Sequence, residues 1–406
     1  MSFKDLINLV TLVTILFSFG PKNYYGAKNR PSMEEDMEFE QQLKILNKPP
    51  IKTIQTKFGD TYDCINIYKQ PAFDHPLLKN HKIQMKPNLV LKEEKINESA
   101  SGRFSSTHFE ISDNERCPMG TVPIRRTKKE ELVNAKYFSK WVQTYSSKRS
   151  TNYVRMPQHY VYASPSDKKI YHGALARIST QNPLVDSDKF STAQIWIQNG
   201  PDEDINSIEF GWAVHPALFG DSQTRSFGFW TADGFRRTGC YNMLCPGFVQ
   251  IDPAYTLGEV LRISVDIQNP LYMHFQVQQD LKTGNWWLFD GPDYSPIGYW
   301  PKEIFTHLAN NASEIKYGGV AGRKVPTEPT PPMGNGKLPT LEFGTSCMMS
   351  TMEIVNDNGK LEQVNSSKLE LKGSTTFNCY DTLLPQYFNS SYGTVMFFGG
   401  PGGNCP

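Results

Sequence analysis

From Asn152 to the C-terminus the chain is a series of short alternating segments, and this pattern restricts the fold more than any other feature. HYVYAS, ALARIS, AQIWIQ, IEFGWAV, RSFGFWTA, FVQI, VLRISVDI, YMHFQVQQ, NWWLF, IGYW, MSTMEIV and TVMFFGG each lie between turn signals. A two-residue alternation sends successive side chains to opposite faces of a strand. Many short strands joined by turns predict an all-β, antiparallel double-sheet β-sandwich and argue against βαβ units. Aromatic content of 12%, with 30 Gly and 28 Pro, fits such a turn-rich chain. LKTGNWWLF, Leu281 to Phe289, reads as a hairpin turning on Thr283-Gly284-Asn285. Only Pro301 to Ala312 predicts a helix here, with Pro leading, Glu303 in the first turn, and Ile304, Phe305 and Leu308 on one face.

With 406 residues there is room for more than this one unit. Lys4 precedes an apolar run from Leu6 to Phe19, about 14 residues, which suits a signal peptide over residues 1–26 and is short for a membrane span. The mature protein is therefore expected to be secreted, with no membrane partner. Residues 30–128 have a different texture and predict a small separate α+β unit ahead of the main unit at 150–406. Ser32 precedes MEEDMEFEQQLKILNK, a capped helix that Pro49-Pro50 ends. CINIY and the stretch after Cys117 read as strands, and Lys92 to Asn114 as a polar loop. Arg125-Arg126 and Lys128-Lys129 are either processing sites or ordinary surface charge.

Seven cysteines without a CxxC pair, and N-x-S sequons at Asn97, Asn311, Asn365 and Asn389, favour an oxidising compartment over zinc binding. The short GCYNMLCP turn predicts a Cys240–Cys245 bridge. Cys379 is expected to pair with Cys405 and Cys64 with Cys117, leaving Cys347 unpaired. His75 and His81, six apart beside Asp74, lack a third ligand and read as loop polarity, so no metal or cofactor is expected. A net charge of +1 gives no reason to expect nucleic acid. A monomer is expected.

The run from Ser207 to Gln250 concentrates aromatics, glycines and one acid, Glu209. Ile208, Phe210, Trp212 and Val214 fall on one face of its opening strand; Ser207, Glu209 and Gly211 fall on the other. Glu209 thus points either to solvent or into a cleft. In AQIWIQ, Gln194, Trp196 and Gln198 share a face.

Several long stretches resemble the neprosin family, plant secreted glutamic endopeptidases that cleave at proline. DCINIYKQPAFDHPLLKNHKIQ and CPMGTVPIRR resemble that family's activation-peptide domain. IEFGWAVHPALFGDSQTRSFGFWTADGFRRTGCYNMLCPGFVQ, TGNWWLF, GYWPKEIF, YGGVAG and FFGGPGGNCP resemble its catalytic domain. The resemblance implies a β-sandwich with two catalytic glutamates in a concave cleft and an inhibitory N-terminal segment packed over it. The first glutamate corresponds to Glu209. The second, in a GGE motif, corresponds to Val320 of Tyr317-Gly318-Gly319-Val320, expected on a neighbouring strand. Valine cannot move a proton, and none of Glu314, Glu328 or Glu342 sits at the motif position. Gln194 or Gln198 is a candidate oxyanion donor beside a lone Glu209. Trp196, Trp212, Trp230 and Tyr241 either line a proline-accepting cleft or belong to the sandwich core. Two functions follow: an endopeptidase acting on proline-containing peptides or proteins, or a non-catalytic relative that binds Pro-rich peptides or wall proteins.

Overall fold

The computed structural model describes residues 32–89, 107–108, 116–136, 158–167, 169–266, 270–291, 293–373 and 378–405. The signal-like segment, the sequon at Asn97 and most of the Lys92–Asn114 stretch lie outside them. The described residues up to Glu40 belong to one compact unit and those from Gln41 onward to another. The predicted first helix is α1, Met33–Leu46. Its start is a reciprocal cap: Ser32 Oγ accepts the Glu35 N–H and the Glu35 carboxylate accepts the Ser32 N–H, both at 3.1 Å.

Strands β1 (Lys52–Gln55), β2 (Thr61–Asn66) and β3 (Thr121–Arg125) pair antiparallel in a sheet of their own. The Cys64–Cys117 bridge, Cα atoms 5.4 Å apart, ties the middle of this sheet to the segment entering β3. The main unit follows with β4 (Gln158–Pro165), β5 (Gly173–Ser179), β6 (Lys189–Asn199), β7 (Asn206–Val214), the short helix α2 (Pro216–Phe219), β8 (Thr224–Thr231), β9 (Cys240–Tyr241) and β10 (Val249–Gln250). Then come β11 (Tyr272–Gln279), β12 (Trp286–Asp290), β13 (Ser295–Trp300), β14 (Glu314–Arg323) and β15 (Cys347–Val355). The chain closes with β16 (Leu361–Gln363), β17 (Leu369–Gly373), β18 (Asp381–Thr382), β19 (Gln386–Asn389) and β20 (Gly393–Gly399). Among the described residues two antiparallel sheets result. The smaller has the order β17-β4-β14-β6-β7-β8-β9; the larger runs β10-β13-β12-β11-β5-β15-β20-β18, with β16 on β15 and β19 on β20.

The sheets meet face to face, as the alternation requires. Ile208, Phe210, Trp212 and Val214 of β7 are buried inward with Ile195 and Ile197 of β6, against Met273, Phe275 and Val277 of β11. Phe210 meets Phe275 edge to face at 5.1 Å, and Trp212 Nε1 donates to Ser179 O at 3.1 Å, joining the two sheets. Trp230 is likewise in this core. The cleft assignment of Trp212 and Trp230 is therefore corrected. Each is one residue out of phase with the outward-facing positions of its strand.

Two further expectations fail for identifiable reasons. The described part of VLRISVDI forms no strand: it has one bridge, Val260 to Arg225, and Leu261, Arg262 and Ser264 each donate a backbone N–H to a different segment, to Thr224, Thr107 and Thr180, while Val265 is exposed. PKEIFTHLANNA is a single 3-10 turn, Lys302–Ile304, followed by irregular chain. There the Asn206 side-chain oxygen accepts the N–H groups of Thr306, His307 and Leu308. That competing bond set replaces the helical ladder while Ile304, Phe305 and Leu308 stay buried. The other bridges form as expected, Cys240–Cys245 and Cys379–Cys405 each with Cα atoms 6.0 Å apart, and Cys347 is free and buried.

Described parts of the N-terminal region lie against the β8 and β10 side of the sandwich. Asp60 receives Arg225 Nη1 at 2.8 Å and Arg125 Nε at 2.7 Å. Gln70 pairs through its amide with the Gln250 backbone at 2.8 and 3.0 Å, as an extra strand residue would. His108 sits between Glu259 at 2.6 Å and Asp290 at 3.3 Å.

Candidate active site

The outward face of the smaller sheet holds the site, and strand register builds it. Opposite Glu209 on β7 stand Trp196 on β6 and Phe229 on β8; Lys316 on β14 is opposite Trp196. The next row reads Tyr162, Gly318, Gln194, Gly211 and Phe227 across β4, β14, β6, β7 and β8. The third contains Tyr160, Val320, Thr192 and Ala213. Glu209 and Val320 are thus on the same face but not on neighbouring strands, because β6 lies between them.

A cavity of about 180 Å³ opens on this face. Glu209, Gln194, Gln198, Trp196, Tyr241 and Val320 all line it. So do side chains that the sequence reading missed: Thr192, Phe190 and His215 at one end, Phe227, Phe229 and Phe235 at the other. RSFGFWTA carried a usable signal, since Phe227 and Phe229 are in phase with each other and out of phase with Trp230. Glu314 is held by Lys316 at 3.0 Å, Glu328 lies 3.9 Å from Lys189, and neither they nor Glu342 line the cavity. None of the described residues before Lys128 lines it either.

Gln194 Nε2 donates to Glu209 Oε2 at 2.6 Å. The other carboxyl oxygen accepts the Ser207 hydroxyl at 3.3 Å. Ser207 Oγ in turn accepts Gln198 Nε2 at 3.1 Å, and Gln198 Oε1 accepts the Lys316 ammonium at 2.6 Å. Lysine can only donate, so Lys316 fixes the Gln198 amide, which turns the Ser207 proton toward Glu209. Burial dominates the electrostatics of Glu209 and pushes its carboxyl up to about 7, against the smaller downward pull of Gln194, Ser207 and Lys316. No second carboxyl contributes. His215, stacked on Phe190 at 5.2 Å, is driven down to about 3 by burial and is neutral. Among the described residues no group of three or more His, Cys, Asp or Glu side chains is placed to hold a metal.

Fold and site together define a β-sandwich protein with a half-buried carboxyl held by a buried carboxamide in an aromatic cleft. The chain belongs to the neprosin family: the Neprosin model matches residues 187–401, and the Neprosin activation peptide model matches residues 53–177. The second match runs through β4 and most of β5, which are sandwich strands. Among solved structures, two of scytalido-glutamic peptidase, one with a peptide-based transition state analog and one with a transition state analog inhibitor, are each 10% identical. Each covers 60% of this chain and 98% of its own, with a TM-score of 0.32. A beta-porphyranase from the human gut bacterium Bacteroides plebeius is 8% identical over 40% of this chain and 56% of its own, with a TM-score of 0.22. Likeness at these scores assigns no residue a role.

Proposed function

We propose that this chain is a secreted endopeptidase of the neprosin type, made as a proprotein, that acts on proline-containing peptides with Glu209 as its one catalytic carboxyl. The observation that carries the reading is the 2.6 Å bond from Gln194 to Glu209 on the floor of the cavity. Ionised Glu209 takes a proton from water while the water oxygen adds to the scissile carbonyl carbon. The carbonyl oxygen becomes an oxyanion, and the second N–H of the Gln194 amide is the donor for it. The proton held on Glu209 then passes to the leaving nitrogen as the carbon–nitrogen bond breaks. Val320 fills the place of a second acid with an isopropyl group packed near Phe190, so one carboxyl serves both steps in turn and turnover is slow. Family membership and three disulfides support secretion and the peptidase class.

Val320 also favours a second reading, a cleft that binds Pro-rich peptides without cutting them. Hydrolysis of a proline-containing reporter peptide from pH 2 to 8 separates the two. Slow wild-type cleavage rising toward neutral pH, abolished in Glu209→Gln, supports the peptidase. Binding with no cleavage at any pH supports the non-catalytic reading, and cleavage undiminished in Glu209→Gln removes Glu209 from the chemistry.

A further inference from the structure

We propose that Tyr162 forms a second aromatic subsite, and that the cleft takes an extended peptide with prolines six positions apart, laid across the strands. The inference rests on the peptide-binding role proposed above and specifies its ligand.

The row Tyr162, Gly318, Gln194, Gly211, Phe227 crosses five strands. Neither glycine in it can carry a side chain. A Cβ on Gly318 would come 2.0 Å from Val161 O, and one on Gly211 would come 2.0 Å from Ala193 O. The row is therefore a trough with Gln194 at its middle and an aromatic ring at each end. Lys316, Trp196 and Glu209 form one bank. Val320, Thr192 and Ala213, all smaller, form the other.

At the near end the half-buried Tyr162 ring lies 5.4 Å from Tyr160 and 6.1 Å from Trp196, with the Lys316 ammonium 5.3 Å from its centre. The missing side chain at Gly318, between β4 and β6, is what lets Tyr162 and Trp196 approach. At the far end Phe227 stands in the aromatic cavity wall with Phe229 and Phe235.

The spacing selects the ligand. Tyr162, Gln194 and Phe227 lie on β4, β6 and β8, every second strand of the sheet. Neighbouring strands are about 4.8 Å apart, so two intervals span roughly 9.6 Å. A polyproline II helix has three residues per turn and rises ~3.1 Å per residue, so it repeats its face every ~9.3 Å. Such a peptide, lying across the strands, places residues i, i+3 and i+6 over Tyr162, Gln194 and Phe227. Its pyrrolidine rings suit the aromatic faces, and its carbonyls have no internal partners and are free to meet the Gln194 amide. Prolines six apart set one ring on Tyr162 and one on Phe227 with Gln194 between them; prolines five or seven apart set only one ring on an aromatic face.

The test is calorimetric titration of the full-length protein with peptides of about nine residues, three turns of such a helix. Composition is held constant while two prolines are set five, six or seven positions apart, and a single-proline peptide serves as control. The six-apart peptide is expected to bind about tenfold tighter than the others. Tyr162→Ala should bring it down to the wild-type affinity of the single-proline peptide, and Tyr162→Leu, which keeps bulk without a ring, should do the same. Both variants are to be checked for wild-type melting. Equal affinity at all spacings, or a preference that survives both substitutions, overturns the inference. If the wild type fails to bind even the single-proline peptide, the peptide-binding function itself falls; if it binds that peptide but ignores spacing, only the subsite falls.

Discussion

Gln194 reaches Glu209 diagonally. In register Gln194 faces Gly211, and Glu209 faces Trp196, yet Gln194 Nε2 lies 2.6 Å from Glu209 Oε2. The glycine makes this possible. Any side chain at position 211 would meet the backbone of Ala193 and Gln194, so the space beside Glu209 is left to the carboxamide. A half-buried carboxyl held this way takes its acid strength from desolvation and from fixed donors rather than from a second acid.

Glu209 should therefore lower stability at high pH. Its folded pKa, about 7, lies above the ordinary value of 4.5. The folded state binds the proton more tightly, so this contribution is fully present below pH 4.5 and is lost as pH rises through 7. Glu209→Gln, which stays neutral, should exceed the wild type in stability at pH 8 by about 1–2 kcal/mol and match it at pH 4, by denaturant titration. That figure discounts the full shift because the side chain keeps contact with the open cavity. A difference independent of pH would show that the Glu209 carboxyl does not titrate above its ordinary range.

Gln194→Ala and Lys316→Met should each move the Glu209 titration further upward, because each removes a donor or positive charge that favours the carboxylate. Carbon-13 NMR of glutamate-labelled protein, with Glu209→Gln assigning the resonance, reads this directly. A downward shift in either variant would contradict the hydrogen-bond chain from Lys316 to Glu209.

Val320→Glu should place a second carboxyl on the wall of the same cavity. Two carboxyls that interact across one cavity titrate apart, so one keeps its proton in acid while the other ionises. Hydrolysis of the reporter peptide should rise at least tenfold over wild type, with the gain concentrated below pH 6, as expected of a supplied general acid. An equal gain at every pH would mean that the new side chain acts otherwise.

Arg225 is fully buried and paired with Asp60 at 2.8 Å and Asp221 at 2.6 Å. Arg225→Met leaves Asp60 buried with only Arg125 as partner and should cost about 3–5 kcal/mol of unfolding free energy. Asp60 itself is held below its usual carboxylate range: burial opposes ionisation, but Arg225 and Arg125 outweigh it. Its contribution is present above the unfolded pKa and lost as pH falls through the lower folded value, so the gap between Arg225→Met and wild type should narrow in strong acid. A loss under 1 kcal/mol by urea titration would mean that this ion network does not hold the N-terminal strands to β8.

Gly211→Ala tests the trough by stability alone. The added methyl meets backbone rather than a movable side chain, so a loss of roughly 2–3 kcal/mol is expected, near the upper end for overpacking. A variant as stable as wild type would remove the steric reason for the glycine row.

The sequence by itself determined the sandwich, the three bridges, the outward phase of Glu209, and the valine where the family motif has an acid. The period, the motif and the short loop of Cys240–Cys245 are local information; the longer bridges, Cys64–Cys117 and Cys379–Cys405, are expected from which cysteines share a region of the chain. The tertiary structure decided what register and competition control. It placed β6 between Glu209 and Val320, because strand order is set by long-range pairing that no local period encodes. It gave the Thr306–Leu308 N–H groups to Asn206, about a hundred residues away in sequence, and so removed a helix that local signals supported. It also turned Trp212 and Trp230 inward, away from the cleft. Local alternation already sets Trp212 on the face opposite Glu209; which face is buried, and which is left to the site, was decided only by the packing of the two sheets.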